Sequence, residues 1–287
     1  MKPNISEFSY GYALTEELVK GFGSSITAAP VFPSLYQEGK KGGGWDVQLK
    51  KGGIPLFLQF KLSHYLKTAN SKERKSGHFA SPYYRMHLRP INHSKQHELL
   101  LDLERAGNEV YYSAPGFHKP NELNDAYLNS EVKNRSIWVK PTDINDITGN
   151  GEHYVAFQLP STWYFCSKPK TIERNLSFSV FQENIISALS EKRNIALTKD
   201  SLIKLAKSLE TIGRKRLDIH MEEEDFEQIS SHVEHMVYEE KYEKTSTRKQ
   251  FIDNEEKVKK IFSNRHPIEL VSYYSSVFLD SHLIIVQ

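Results

Sequence analysis

Residues 54–61, IPLFLQFK, carry apolar side chains at almost every position, and the preceding 45–50, WDVQLK, alternates apolar with polar. Gly52 and Gly53 divide the two runs. A glycine pair suits the positive-φ positions of a tight two-residue turn, so the spacing predicts an antiparallel hairpin. Counting outward from that turn sets Lys51 opposite Ile54 and Asp46 opposite Gln59. Side chains along a strand alternate faces. Val47 and Leu49 then share a core face with Leu56, Leu58 and Phe60, while Asp46, Gln59 and Lys61 fall together on the other face with Phe57. A slip of one residue would break the grouping.

The hydrophobic pattern predicts the neighbouring elements as well. Leu14, Leu18 and Phe22 repeat at helical spacing within 13–22, and 30–36, PVFPSLY, reads as an extended edge segment. Residues 66–80 are polar and basic without a period, so a loop is expected there. YYRMHLR (83–89) alternates as a strand. Residues 94–107 form a helix that Ser94 can cap, with His97, Leu100, Leu101 and Leu103 inward and Gly107 as its stop. EVYYSA (109–114) and HYVAFQL (153–159) read as strands. The order of helix, strand, hairpin, further strand, helix and strand describes an α/β protein whose mixed sheet has a crossover helix. After residue 178 the periods become helical. Phe226, Ile229, Val233 and Met236 line one such face, and LIIVQ at the end suggests a strand returning to the sheet. The expected division is 1–177 and a mainly helical 178–287.

Composition narrows the function classes. The 287 residues include 38 Lys and Arg against 36 Asp and Glu, so overall charge selects no partner. Local charge is uneven: residues 61–95 hold eight Lys/Arg and one acid, Glu73, whereas 221–240 hold eight acids and no Lys or Arg. The single cysteine, Cys166, excludes an internal disulfide and a Cys-rich zinc module. With no signal-like apolar stretch at the start and no membrane-length run, a cytoplasmic protein is expected.

An acid on one arm, followed twelve residues on by Gln-x-Lys at the end of PLFLQFK, resembles the PD-(D/E)XK nuclease superfamily. Gln59 stands where most members have an acid, as in the Gln-x-Lys variant of Mrr-type restriction endonucleases. The likeness covers about residues 10–115 and implies a restriction-endonuclease-like sheet flanked by helices, with YYRMHLR as an addition. It also implies a Mg²⁺ site, with Mn²⁺ able to substitute. Mg²⁺ takes oxygen ligands, typically one or two carboxylates with waters and substrate phosphate. Asp46 would supply a carboxylate and Gln59 a neutral oxygen, while Lys61 would orient or deprotonate the attacking water and stabilise charge at phosphorus. A glutamate of the first helix would complete the set. Glu16 and Glu17 lie about equally far from the apolar face, with Glu17 favoured because it borders Leu14 and Leu18.

DNA is the expected partner. Lys72, Arg74, Lys75, Arg85 and Arg89 follow the proposed site and can track a phosphate backbone. Tyr83 and Tyr84 suit either base stacking or core packing, and His97 either a phosphate contact or a structural role. His232 and His235 lack further metal-ligand spacing, and 222–225, EEED, suits a helix N-terminus. Two functions emerge: a Mg²⁺-dependent endonuclease of bacterial restriction or antiphage defence, or an inactive relative that binds nucleic acid or a protein. The helical half would serve a homodimer or a partner subunit. No P-loop is present in the sequence, so a nucleotide-driven motor would be another chain.

Overall fold

A computed structural model describes residues 1–22, 53–68, 70–79, 82–90, 94–148, 151–160, 162–165, 170–172, 176–192, 199–219 and 281–286, with a few single residues between 268 and 279. In chain order the elements are α1 (Glu7–Phe22), β1 (Ile54–Phe60), β2 (Ser63–Leu66), α2 (Lys72–Lys75), β3 (Tyr83–Leu88) and α3 (Gln96–Arg105). Then come β4 (Glu109–Pro115), α4 (Pro120–Leu128), β5 (Ser136–Val139), α5 (Pro141–Ile144) and β6 (His153–Gln158). The remainder are β7 (Thr162–Phe165), β8 (Lys170–Thr171), α6 (Phe178–Lys192), α7 (Lys199–Ile219) and β9 (His282–Val286). The chain is a mixed α/β protein.

The strands form two sheets where the sequence suggested one. The first runs β5-β4-β1-β9, so the C-terminal strand does return, as LIIVQ implied. Within it β1 and β4 are parallel, with Gln59 beside Tyr112 and Phe60 beside Ser113, and β5 is antiparallel to β4. A parallel pair requires a crossover, and α3 lies in it. The second sheet runs β2-β3-β6-β7-β8, all antiparallel. YYRMHLR therefore belongs to a separate sheet, with HYVAFQ as its neighbour.

Alternation in β1 separates two packing environments. Leu56, Leu58 and Phe60 join Tyr10, Leu14 and Leu18 of α1 in one apolar cluster. Phe57 and Gln59 point the other way yet are also buried, at 0% and 1% exposure, so neither face of β1 is a solvent face. α3 starts and stops near the expected positions: the Ser94 hydroxyl accepts the Gln96 N–H at 3.2 Å, and Gly107 follows the helix at φ +89°. That left-handed backbone is cheap for glycine alone.

α1 begins six residues before the expected 13, through a segment that contains Gly11. A Cβ at Gly11 would sit 2.6 Å from Cδ2 of Phe60, whose ring packs edge-on against Tyr10 at 5.9 Å. The missing side chain is what lets the helix lie against β1. Gly11→Ala is expected to destabilise the fold by about 1–3 kcal/mol, the range for overpacking a filled core. A urea titration checks this; an unchanged midpoint would mean that α1 does not seat on Phe60.

The first compact unit comprises the described residues of 1–22, 53–192 and 284–286, and those of 199–283 belong to a second. α6 thus falls in the first unit, beyond the boundary expected at 177. Phe181 of α6 stacks on Trp138 at 4.1 Å and meets Tyr111 edge-on at 4.9 Å. In the second unit α7 buries Leu202, Ala206, Leu209 and Ile212, one face at helical spacing. Among the described residues, no helix is long and apolar enough to cross a membrane.

Candidate functional site

A chain of side-chain hydrogen bonds connects the end of β1 to the start of α3. Gln59 donates through Nε2 to the Phe60 carbonyl at 3.1 Å, which leaves its Oε1 as an acceptor. Gln96 Nε2 donates to that Oε1 at 2.9 Å, and Lys61 Nζ donates to Gln96 Oε1 at 2.9 Å. The two amides are therefore oriented by their partners. Gln59 and Gln96 are buried and Lys61 partly so. The Lys61 N–H donates to the Ser113 carbonyl at 2.9 Å, continuing the pairing of β1 with β4 past the strand's end. Gln59 and Lys61 meet through Gln96 because residues i and i+2 share a strand face and α3 covers that face.

This arrangement holds an ammonium beside two amides. Gln96 accepts from Lys61 as a neutral amide. A buried amide costs stability unless it is hydrogen-bonded, and an apolar residue at 59 would suit the surrounding core. Such local conflicts concentrate at functional sites.

Other expected members are placed differently. Asp46 and the arm that carries it lie outside the described residues, as do Gly42–Gly44 and the 30–36 segment. Among the described residues, the edge of β1 away from β4 is held by β9. Glu17 is buried, and its carboxylate accepts the backbone N–H groups of Val132 and Lys133, each at 3.0 Å, with Lys133 Nζ at 3.5 Å. α1 packs with Leu56 and Leu58, on the face of β1 opposite Gln59. Glu17 therefore anchors the segment before β5 and does not join Gln59 as a ligand. Glu16 accepts from the Tyr127 hydroxyl and pairs with Lys20 at 2.6 Å.

The basic segment divides into inward and outward cations. Arg85 pairs with Glu73, and its guanidinium lies 4.4 Å from the Tyr154 ring centroid. It is an internal cation, a correction to its expected place on a phosphate track. Arg74 is half-buried and donates to the Lys67 carbonyl at 3.1 Å, whereas Lys75 and Arg89 are exposed. The Lys72 side chain lies outside what the structure describes. Tyr83 is buried and stacks on Phe79 at 4.4 Å, and Tyr84 stacks on Phe157 at 5.7 Å, so both are packing residues.

His97 also faces inward. Its Nε2 lies 2.8 Å from the Asn145 carbonyl and its Nδ1 lies 3.0 Å from the Tyr112 hydroxyl. A carbonyl only accepts, so Nε2 carries the proton and Nδ1 accepts from Tyr112. Burial pushes the imidazole pKa down, and the Asn145 bond offsets part of that effect. His97 orients the start of α3 and is not presented as a phosphate contact. Cys166, His232, His235 and 222–225 lie outside the described residues.

The donors can be tested against Mg²⁺. Gln59 Oε1 is an oxygen donor that already accepts from Gln96, and Glu17 is committed elsewhere. Among the described residues, no three His, Cys, Asp or Glu side chains are grouped as a ligand set. The described site does not make a Mg²⁺ cage by itself, and Asp46 lies outside the described residues.

Gln96 is the partner that sequence reasoning left without a role. Its signal was an uncharged polar side chain on the first turn of an otherwise Leu-rich crossover helix. Compared with family models, curated proteins and solved structures, the chain matches none.

Proposed function

We propose that this chain is a metal-dependent deoxyribonuclease of restriction-endonuclease-like architecture, hydrolysing DNA phosphodiester bonds in bacterial restriction or antiphage defence. The observation that carries the reading is the Gln59–Gln96–Lys61 chain, which fixes an ammonium at the end of a parallel strand pair. Negative charge builds on the phosphoryl oxygens as a nucleophile attacks phosphorus. A pre-oriented cation stabilises that charge without reorganising at the moment of reaction. Gln96 sets the direction of Lys61, and Gln59 sets the orientation of Gln96. Mg²⁺ bound through Asp46 would supply Lewis-acid chemistry and a water nucleophile.

The first test is nicking of supercoiled plasmid with Mg²⁺, with Mn²⁺ and with a chelator. Metal-dependent cleavage that disappears in Asp46→Ala is expected. Equal cleavage by wild type and Asp46→Ala would remove Asp46 from the site.

One observation favours a second reading, an inactive module that binds nucleic acid or a partner subunit. β9 holds the edge of β1 on which the hairpin arm with Asp46 was expected. Salt-sensitive DNA binding without cleavage under any divalent ion would select that reading.

A further inference from the structure

We propose that His64 and His87 form an acid-sensitive latch between β2 and β3, closed while both imidazoles are neutral and released when they take up protons. β2 is the outermost strand of its sheet, and its four residues pair with β3 from Ser63 opposite Met86 to Leu66 opposite Tyr83. His64 stands opposite Arg85, and alternation puts His87, two residues on, on the same face. The two rings meet with centroids 4.5 Å apart, inclined by 52°. Both side chains are half-buried, and Nε2 of His87 is buried without a hydrogen-bond partner. A buried polar atom left unpaired in this way calls for a physical account.

The surroundings favour the neutral rings. Burial holds both imidazoles below the ordinary 6.5; the Met1 amino group, Lys2 and Arg85 push His64 the same way, and His64 and Arg85 do so for His87. Glu152, exposed just before β6, pulls against them at both rings. Glu73 is taken up by Arg85 and Tyr83, and the Tyr154 ring flanks His87 at 5.7 Å. A metal ion fits the pair poorly, because among the described residues no third ligand is grouped with it and these cations stand beside it. Two imidazolium ions in contact repel each other and Arg85, and separating the strands relieves that repulsion. The closed form therefore binds fewer protons than the open one. The latch is at full strength above about 6.5 and weakens as pH falls below it. On the opposite face His118 stacks on Tyr65 at 4.6 Å, with Glu122 at 3.1 Å, and its response has to be separated from that of the pair.

The latch adjoins the candidate site. Ser63 follows Lys61 by two residues, and the Lys61 N–H is tied to the Ser113 carbonyl of β4. Release of β2 frees the chain on the C-terminal side of that lysine. Any effect on cleavage rests on the hydrolase reading; the latch itself does not.

The test is hydrogen–deuterium exchange of the full chain between about pH 7.5 and 5, corrected for the intrinsic exchange rate, in a window above that in which Glu73 titrates. Protection of the β2 and β3 amides is expected to fall at least about tenfold across this range, while that of β1 and β4 holds. His64→Gln combined with His87→Gln should remove the fall. Either single change should leave a shallower one, since one proton is taken up in place of two. Glu152→Gln should deepen it, because the acid that favours the protonated rings is gone. Circular dichroism at the upper pH confirms that each variant is folded. Flat protection in the wild type would overturn the proposal. So would an equal fall in the double variant and in both single variants, as titration of His118 alone would give. A chain that never cuts DNA yet shows the exchange response would overturn the hydrolase reading and leave the latch standing. Metal-dependent cleavage together with flat exchange would do the reverse.

Discussion

Lys61→Ala is expected to lower plasmid cleavage by about 10²–10³-fold, the range for removing one pre-oriented electrostatic group from a reacting centre. The size follows from placement. Lys61 is partly buried and held at 2.9 Å by Gln96, so its charge acts in a less screened setting than a surface lysine's. Lys61→Met keeps most of the stem and removes the charge, separating packing from chemistry; it should be as inactive as the alanine variant. Lys61→Arg should restore little, because a planar guanidinium is larger and directs its donors differently. Gln96→Ala removes the acceptor of Lys61 and the donor to Gln59 together, so an intermediate loss is expected. Gln96→Glu sets a carboxylate against the ammonium and should be worse than Gln96→Ala. Initial nicking rates read all five, with thermal melts confirming folding. Full activity in Lys61→Met would mean that the lysine serves packing alone.

The largest effect on stability is expected at Glu73 and Arg85. Glu73 is 3% exposed and receives the Tyr83 hydroxyl and the Arg85 guanidinium. Arg85→Ala leaves that carboxylate buried without its cation and should cost about 3–5 kcal/mol, the usual loss when one member of a buried pair is removed. Replacing both, as Glu73→Leu with Arg85→Met, should cost less than the sum of the two single changes. Urea midpoints of the four proteins test this; strictly additive losses would show that the pair is not coupled.

Acid should act on the same pair. Burial by itself raises the Glu73 pKa, but hydrogen bonds from Tyr83 and Tyr154 and the Arg85 guanidinium outweigh it and hold the group at about 2, against an ordinary 4.5. A carboxyl depressed in the folded state contributes stability that is fully present above its unfolded pKa. That contribution fades as pH falls from about 4.5 towards 2. Glu73→Gln is expected to flatten this part of the stability curve, and an unaltered acid limb would contradict the assignment.

Much of the site was legible because a strand has a period of two. That period alone places Gln59 and Lys61 on one face of β1 and Leu56, Leu58 and Phe60 on the other. It does not reveal what covers the polar face, since Gln96 lies 37 residues beyond Gln59. The choice between Glu16 and Glu17 was beyond a helical wheel for a similar reason. Their partners, Tyr127, Val132 and Lys133, lie more than a hundred residues away. Arg85 looked like a surface cation among basic neighbours, yet the one acid of that segment is buried beside it. The second sheet was missed because the pairing of β3 with β6 spans three helices and two strands of the first sheet. Alternation marks strands without telling which ones pair.

Crystals of the full chain soaked in Mn²⁺, with anomalous scattering recorded, test the central claim most directly. The expected result is one ion about 2.0–2.2 Å from both an Asp46 carboxylate oxygen and Gln59 Oε1, the distance typical of Mg²⁺-type sites. An ion bound elsewhere, or an Asp46 side chain on the far face of β1, would contradict it.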